Sequence, residues 1–150
     1  MKKKVLLGMS GGVDSSISAL LLQEDGYEVE GVTLIVSDCY DKNDIDDAKT
    51  LADKLGIKHS TVDVRKEFEE IVVKNFIDGY TKSYTPSPCV ICDENVKFKT
   101  LIDLADNSGC DFVATGHYAK TELIDGISYL KKCSDEKKDQ TYMLYRLDQD

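Results

Sequence analysis

The sequence has no tryptophan, two prolines and two histidines among 150 residues. It lacks an apolar run of the length a membrane-spanning helix needs. Its basic start, Lys2 to Lys4, is followed only by Val5, Leu6 and Leu7 before Gly8, too short for the apolar stretch of a signal peptide. These absences exclude a membrane partner and predict a cytoplasmic protein. Five cysteines with no export signal argue against a disulfide scaffold and for reduced thiols used in packing, metal binding or catalysis. Positive charge is scarce too. With 19 Lys and Arg against 28 Asp and Glu, the net charge is −9, and such a chain offers phosphate backbones no broad attraction. Any nucleic-acid partner has to be held locally.

What remains is the composition of a globular chain, 41% hydrophobic and 31% charged, of a size that buries about two-thirds of its unfolded surface around one core. Neither repeats nor low-complexity tracts occur. Val5 to Met9 and Val29 to Val36 read as buried strands. Between them Ile17, Leu20, Leu21 and Leu22 share a helical face behind the capping residues Asp14, Ser15 and Ser16, and Gly26 stops the helix. The alternation continues with a helix from Asp44 to Leu55, a strand from Ile57 to Val64 and a helix from Phe68 to Tyr80. After Pro86 and Pro88 come a helix from Val96 to Ala105, a short strand from Asp111 to Ala114, and a hairpin from Thr121 to Lys132 turning at Asp125-Gly126. Alternating strands and helices predict a doubly wound α/β fold around a parallel sheet, with ligands gathered where the strand order reverses.

Ser10-Gly11-Gly12-Val13-Asp14-Ser15 follows the first strand and opens the first helix, so its amides converge with the helix dipole behind them. Gly11 and Gly12 let the backbone approach an anion, and Ser10 and Ser15 add hydroxyl donors. The loop is neither a Walker loop nor Gly-x-Gly-x-x-Gly. Without a lysine, it suits a pyrophosphate bridged by Mg²⁺, which Asp14 could help to coordinate. The simpler alternative is a glycine turn before a capped helix.

The second motif, Thr85-Pro86-Ser87-Pro88-Cys89-Val90-Ile91-Cys92, sets two thiols three apart ahead of a helix. A thiolate at a helix start is favoured by the dipole, so at least one thiol is expected to be acidified and nucleophilic. Half a zinc site, a redox pair and ordinary buried cysteines are the competing readings; Cys39, Cys110 and Cys133 form no second pair at zinc spacing. His59 reads as a strand-edge residue. His117, in the loop after a strand, shapes the pocket or transfers protons.

Taken together, Gly8 to Ser16, Thr85 to Lys99, Ala114 to Ala119 and Lys138 to Tyr142 resemble the successive signatures of the tRNA-specific 2-thiouridylases, within the PP-loop ATP pyrophosphatases of the adenine nucleotide alpha hydrolase type. The resemblance implies an enzyme that uses ATP to thiolate a tRNA wobble uridine at C2, adenylating the base before a cysteine persulfide delivers sulfur. By position, Gly8, Met9, Ser10, Gly11, Gly12, Val13, Asp14, Ser15, Leu34 and Gly116 would bind ATP with Mg²⁺, and Cys92 would be the catalytic cysteine. Ser87, Pro88, Cys89, Lys138, Asp139 and Gln140 would touch tRNA, with Lys97, Lys99, Lys131, Lys132 and Lys137 as further phosphate contacts. Two departures stand out: Ser87 where the family has Asn, and Asp93 where Asn usually follows the cysteine. The implied sulfur donor is a persulfide carrier or a cysteine desulfurase. Family members are much longer, so residues 1–150 are expected to form the ATP-binding and thiolation domain of an N-terminal fragment or short form, without the family's second cysteine. Cys89 could then partner Cys92, and an iron–sulfur cluster on Cys89, Cys92 and a third thiol is conceivable. Cys133, like Cys39 and Cys110, reads as structural. The alternatives are another PP-loop adenylating enzyme acting on a small substrate, or a nucleotide-binding fragment without turnover.

Overall fold

The computed structural model describes residues 2–38 and 42–148; Cys39 lies outside them. Four parallel strands, β1 (Lys4–Gly8), β2 (Glu28–Ile35), β3 (Lys58–Asp63) and β4 (Phe112–Ala114), form a sheet in the order β3-β2-β1-β4. β1 pairs with β2 through Leu7 and Gly31 on one side and with β4 through Leu6 and Val113 on the other. The strand order reverses beside β1, and loops at its C-terminal end flank a crevice.

Alternation along β1 sends Leu7 to one face and Leu6 to the other. Leu7 and Met9 pack with Ala19 of α1 (Val13–Glu24) and with Ala48 and Ala52 of α2 (Lys42–Leu55). Leu6 and Val32 pack against Leu101 and Ala105 on the opposite face. The sheet is thus covered on both sides, as a right-handed crossover at each helix requires.

Several elements differ from the expectation. Gly12, not an acidic or hydroxyl side chain, caps α1, and the hydroxyls of Ser15 and Ser16 donate back to its carbonyl at 3.1 and 2.7 Å. The buried face of α1 is Ser15 and Ala19, while Ile17, Leu20 and Leu21 stand exposed. Close approach to the sheet selects small residues there and turns the larger ones outward. The helix expected from Phe68 begins at Arg65: α3 (Arg65–Phe68), a π turn (Glu69–Val73) and α4 (Lys74–Thr81) run on without a break. Asp63 accepts the Arg65 amide at 3.1 Å and its guanidinium at 2.6 Å, which starts the helix early.

The helix expected from Val96 likewise begins at Pro88, whose fixed φ suits a first helical position. α5 (Pro88–Cys92), a π turn (Asp93–Lys97) and α6 (Phe98–Ser108) follow one another, closed by Gly109 at φ 68°. The turn between β5 (Lys120–Ile124) and β6 (Ile127–Lys131) puts Asp125 and Gly126 at φ 51° and 81°, the left-handed pair a two-residue hairpin needs. α7 (Thr141–Leu144) buries Met143 and Leu144 against Val90.

Candidate active site

The crevice beside β1 holds a cavity of about 430 Å³. Its polar end is made by Ser10, Asp14 and Ser15, its apolar side includes Val32, Leu34, Val36 and Phe68, and Cys92, Lys97, Gly116 and His117 complete the wall. That volume falls within the range that encloses small ligands.

The loop after β1 is braced from within. Ser10 N–H donates to Ser15 Oγ at 3.3 Å, Gly12 N–H donates to Ser10 Oγ at 3.4 Å, and Gly11 turns at φ 78°. The first i to i−4 bond of α1 runs from Ser16 N–H to Gly12 at 3.2 Å. The amides of Val13, Asp14 and Ser15 precede it and are left to point at an anion. Gly116 closes against this point: a Cβ there would sit 3.2 Å from Ser15 N and 3.3 Å from the Asp14 carbonyl carbon. Any side chain there would push the two loops apart by a few tenths of an ångström or more. The loop from Ser10 to Ser15 and Leu34 lie on the wall of the same cavity.

Of the residues expected to bind ATP, Gly8, Met9, Ser10, Asp14, Ser15, Leu34 and Gly116 line the cavity; Gly11, Gly12 and Val13 do not. Asp14, the candidate Mg²⁺ ligand, accepts a 2.5 Å hydrogen bond from Tyr118. Among the described residues no group of three or more His, Cys, Asp and Glu side chains could hold a metal ion. A magnesium ion that binds mainly through phosphates and water is compatible with one carboxylate. A cluster on Cys89 and Cys92 with Cys110 or Cys133 is not, because those thiols are not brought together.

Cys92 lines the cavity, but its environment differs from the expectation. Burial pushes its thiol above the ordinary value, the Lys97 cation pulls it down, and Asp93 and Cys89 push it up. Burial therefore outweighs the dipole, because Cys92 ends the short helix α5 and is not in its first turn. Cys89 and Ser87 are exposed and Pro88 is half-buried, and all three lie outside the cavity wall.

Beneath Cys92 the π turn carries a polar cluster that the sequence reading missed. Asp93 is only 1% exposed. Its Oδ1 accepts from Lys97 Nζ at 2.5 Å, and its Oδ2 has no hydrogen-bond partner. His117 Nε2 lies 3.7 Å from Oδ2 and 3.4 Å from Lys97 Nζ, its Nδ1 is 2.8 Å from Thr115 Oγ1, and Phe98 stacks on the ring. The available signal was Asp93 itself, an acid at the position where the resemblance expects an amide.

The residues matched to tRNA contacts after the hairpin are engaged internally. Lys138 Nζ donates to Tyr118 Oη at 3.4 Å, which raises the Lys138 pKa and extends the chain to Asp14. Asp139 accepts from Cys133 N–H at 2.9 Å and from the Thr141 hydroxyl at 2.5 Å, and its pKa is lowered accordingly. Gln140, which reaches the cavity wall, exchanges two bonds with the Tyr118 backbone at 2.8 and 2.9 Å. These three residues clamp the loop after β4.

A parallel sheet in this order, with a glycine-serine loop at the reversal point and a second glycine closing on it, defines a PP-loop adenine-nucleotide domain. Solved structures agree with that class. NMN synthetase of Francisella tularensis matches with a TM-score of 0.55 at 24% identity, over 74% of this chain and 44% of that one. A predicted subunit of tRNA methyltransferase from Methanocaldococcus jannaschii matches with a TM-score of 0.53 at 30% identity, over 76% and 52%.

The chain belongs to the family described as the tRNA methyl transferase HUP domain, whose model matches residues 3–150. It is 53% identical to tRNA-specific 2-thiouridylase MnmA 2 of Fusobacterium nucleatum, over 99% of this chain and 44% of that protein. It is 49% identical to tRNA-specific 2-thiouridylase MnmA 3 of Bacteroides fragilis, over 99% and 40%. The chain therefore spans less than half the length of these curated relatives. No helix among the described residues is long and apolar enough to cross a membrane.

Proposed function

We propose that residues 1–150 form the ATP-binding and thiolation domain of an enzyme that converts a tRNA wobble uridine to its 2-thio form. The observation that carries this reading is that Cys92 and the anion-binding loop line one cavity. ATP, with Mg²⁺ on its phosphates, would occupy the loop between Ser10 and Ser15. Transfer of AMP to O2 of the uracil turns a poor leaving group into a good one. A persulfide sulfur, supplied by a carrier or a cysteine desulfurase, then attacks C2. Cys92 serves as the nucleophile that completes the exchange. Burial raises the pKa of its thiol, and the Lys97 cation offsets part of that rise. The names of the relatives at 53% and 49% identity support tRNA as the substrate, and a cytoplasmic setting belongs to the same reading.

The target base must leave its stack to enter such a cavity, at a cost of a few kcal/mol that single-stranded anticodon bases keep small. Release of pyrophosphate from ATP, measured with and without unmodified tRNA, tests the reading. Release that requires tRNA supports it. Release without tRNA would instead indicate adenylation of a small molecule, and no release a nucleotide-binding fragment.

A further inference from the structure

Adenylation of uracil at O2 sets a requirement that neither Cys92 nor the anion loop meets. When O2 bonds to phosphorus, C2 must form a double bond to N3, so the N3 proton has to leave. A group in the cavity must take it and later give it back.

His117 has the geometry for this. It lines the same cavity as Cys92 and Gly116, with only 12% of its side chain exposed. Lys97 Nζ can only donate, so Nε2, 3.4 Å away, is an acceptor. Nδ1 then carries the hydrogen and donates to Thr115 Oγ1 at 2.8 Å. Phe98, stacked on the ring at 5.9 Å between centroids, fixes its plane. The neutral imidazole is thus held on the cavity wall with Nε2 as its basic nitrogen. Asp93 Oδ2 completes the arrangement. It is a buried oxygen without a hydrogen-bond partner, 3.7 Å from Nε2, a distance at which the carboxylate stabilises a positive charge on the ring.

We propose that His117 takes the N3 proton as AMP is transferred to O2 and returns it when the thione forms, with Asp93 and Lys97 as its positioning residues. The role rests on the functional reading above. In the first step the N3–H bond breaks and its electron pair forms N3=C2. The C2=O π pair moves to O2, which bonds to the α-phosphorus, and pyrophosphate leaves. The proton resides on Nε2, and the imidazolium pairs with the Asp93 carboxylate 3.7 Å away while Lys97 stays on Oδ1. In the second step the persulfide's terminal sulfur bonds to C2, and AMP leaves with the C2–O2 pair. The Cys92 thiolate then cleaves the sulfur–sulfur bond, forming a disulfide with the donor. As C2=S forms, N3 recovers its proton from Nε2.

The charged and titratable groups around Nε2 are Asp93 and Lys97 on the π turn, Cys92 at the end of α5 and Asp14 on α1, the last two across the cavity wall. Burial and Lys97 hold the imidazole pKa below its ordinary value, and Asp93 raises it.

Two measurements test the role. In the first, ¹⁵N NMR of the imidazoles in this chain is followed against pH. His117 is expected to show the Nδ1–H tautomer and to protonate below pH 6.5; Asp93→Asn should lower that midpoint and Lys97→Met should raise it. The Nε2–H tautomer, or a midpoint that neither substitution moves, overturns the proposal without touching the functional reading. The second is the pH profile of tRNA-dependent pyrophosphate release. His117→Gln should lower kcat by about 100-fold, the lower end of what a positioned acid–base group supplies, and abolish the acidic limb; Asp93→Asn should move that limb to lower pH. Wild-type release that depends on tRNA, with His117→Gln retaining both rate and limb, overturns this role alone. Failure of the wild type to release pyrophosphate with tRNA sinks the functional reading and this role together.

Discussion

Cys92 shows which of two opposing effects wins at a single side chain. A thiol near a helix start gains from the dipole, but that gain falls off within the first turn, and Cys92 stands at the end of α5 with its sulfur largely covered. Desolvation of the thiolate dominates, and Lys97 offsets part of it. Lys97→Met is therefore expected to push the thiol higher still and Asp93→Asn to bring it down. The check is the pH dependence of iodoacetamide labelling at Cys92, resolved by mass spectrometry; identical midpoints in the two variants would refute the local electrostatics. The histidines make a second prediction. His59 and His117 are both held below about 6.5 by burial. Between the folded and unfolded values the unfolded chain binds more protons, so stability is expected to fall as pH drops below about 6.5 and to level off beneath the folded values. Asp63, held at about 2 by Arg65, adds a separate loss below about pH 4. Urea midpoints at closely spaced pH values resolve the two windows, and a double His→Gln variant should flatten the upper one.

At the scale of elements, the site depends on two loops meeting and on one helix packing beneath them. Gly116→Ala places a methyl 3.2 Å from Ser15 N, a backbone atom, so one of the two loops has to shift. ATP affinity by calorimetry should fall about tenfold, 1.4 kcal/mol; unchanged affinity would mean that the closing loop is not part of the nucleotide site. Leu101 is fully buried on α6 and touches the position where a Gly8 Cβ would lie. Leu101→Ala is expected to cost about 2–5 kcal/mol of stability in urea titrations. Elements of this kind were legible in sequence wherever one physical constraint dominates. β1 is a short apolar run, Asp125-Gly126 supplies the positive φ its hairpin demands, and the loop after β1 turns at a glycine with φ 78°. The failures have equally local causes. Ile17, Leu20 and Leu21 mark an apolar stripe, but Ser15 and Ala19 are small enough for the helix to sit on the sheet. Helices that begin at Arg65 and Pro88 depend on an Asp63 bond and on a proline at its favoured position. The π turn that carries Asp93 under the cavity adds a residue to one helical turn, a change that hydrophobic periodicity cannot register.

For the whole molecule, a net charge of −9 means that the proposed RNA partner would have to be held by local cations. Lys97, Lys131 and Lys138, three of the lysines expected to meet phosphates, are already engaged with Asp93, Glu122 and Tyr118. The proposed chemistry has more behind it than the proposed RNA surface, because the reversal of strand order beside β1 brings the loop after β1, the closing glycine and Cys92 to one cavity from distant parts of the chain. A direct test is to mix the protein with ATP and unmodified tRNA and follow pyrophosphate release, comparing the wild type with Gly116→Val and with tRNA omitted. The account predicts release that requires tRNA and is lost in Gly116→Val. Release at the same rate without tRNA, or undiminished when the closing loop is blocked, would contradict it.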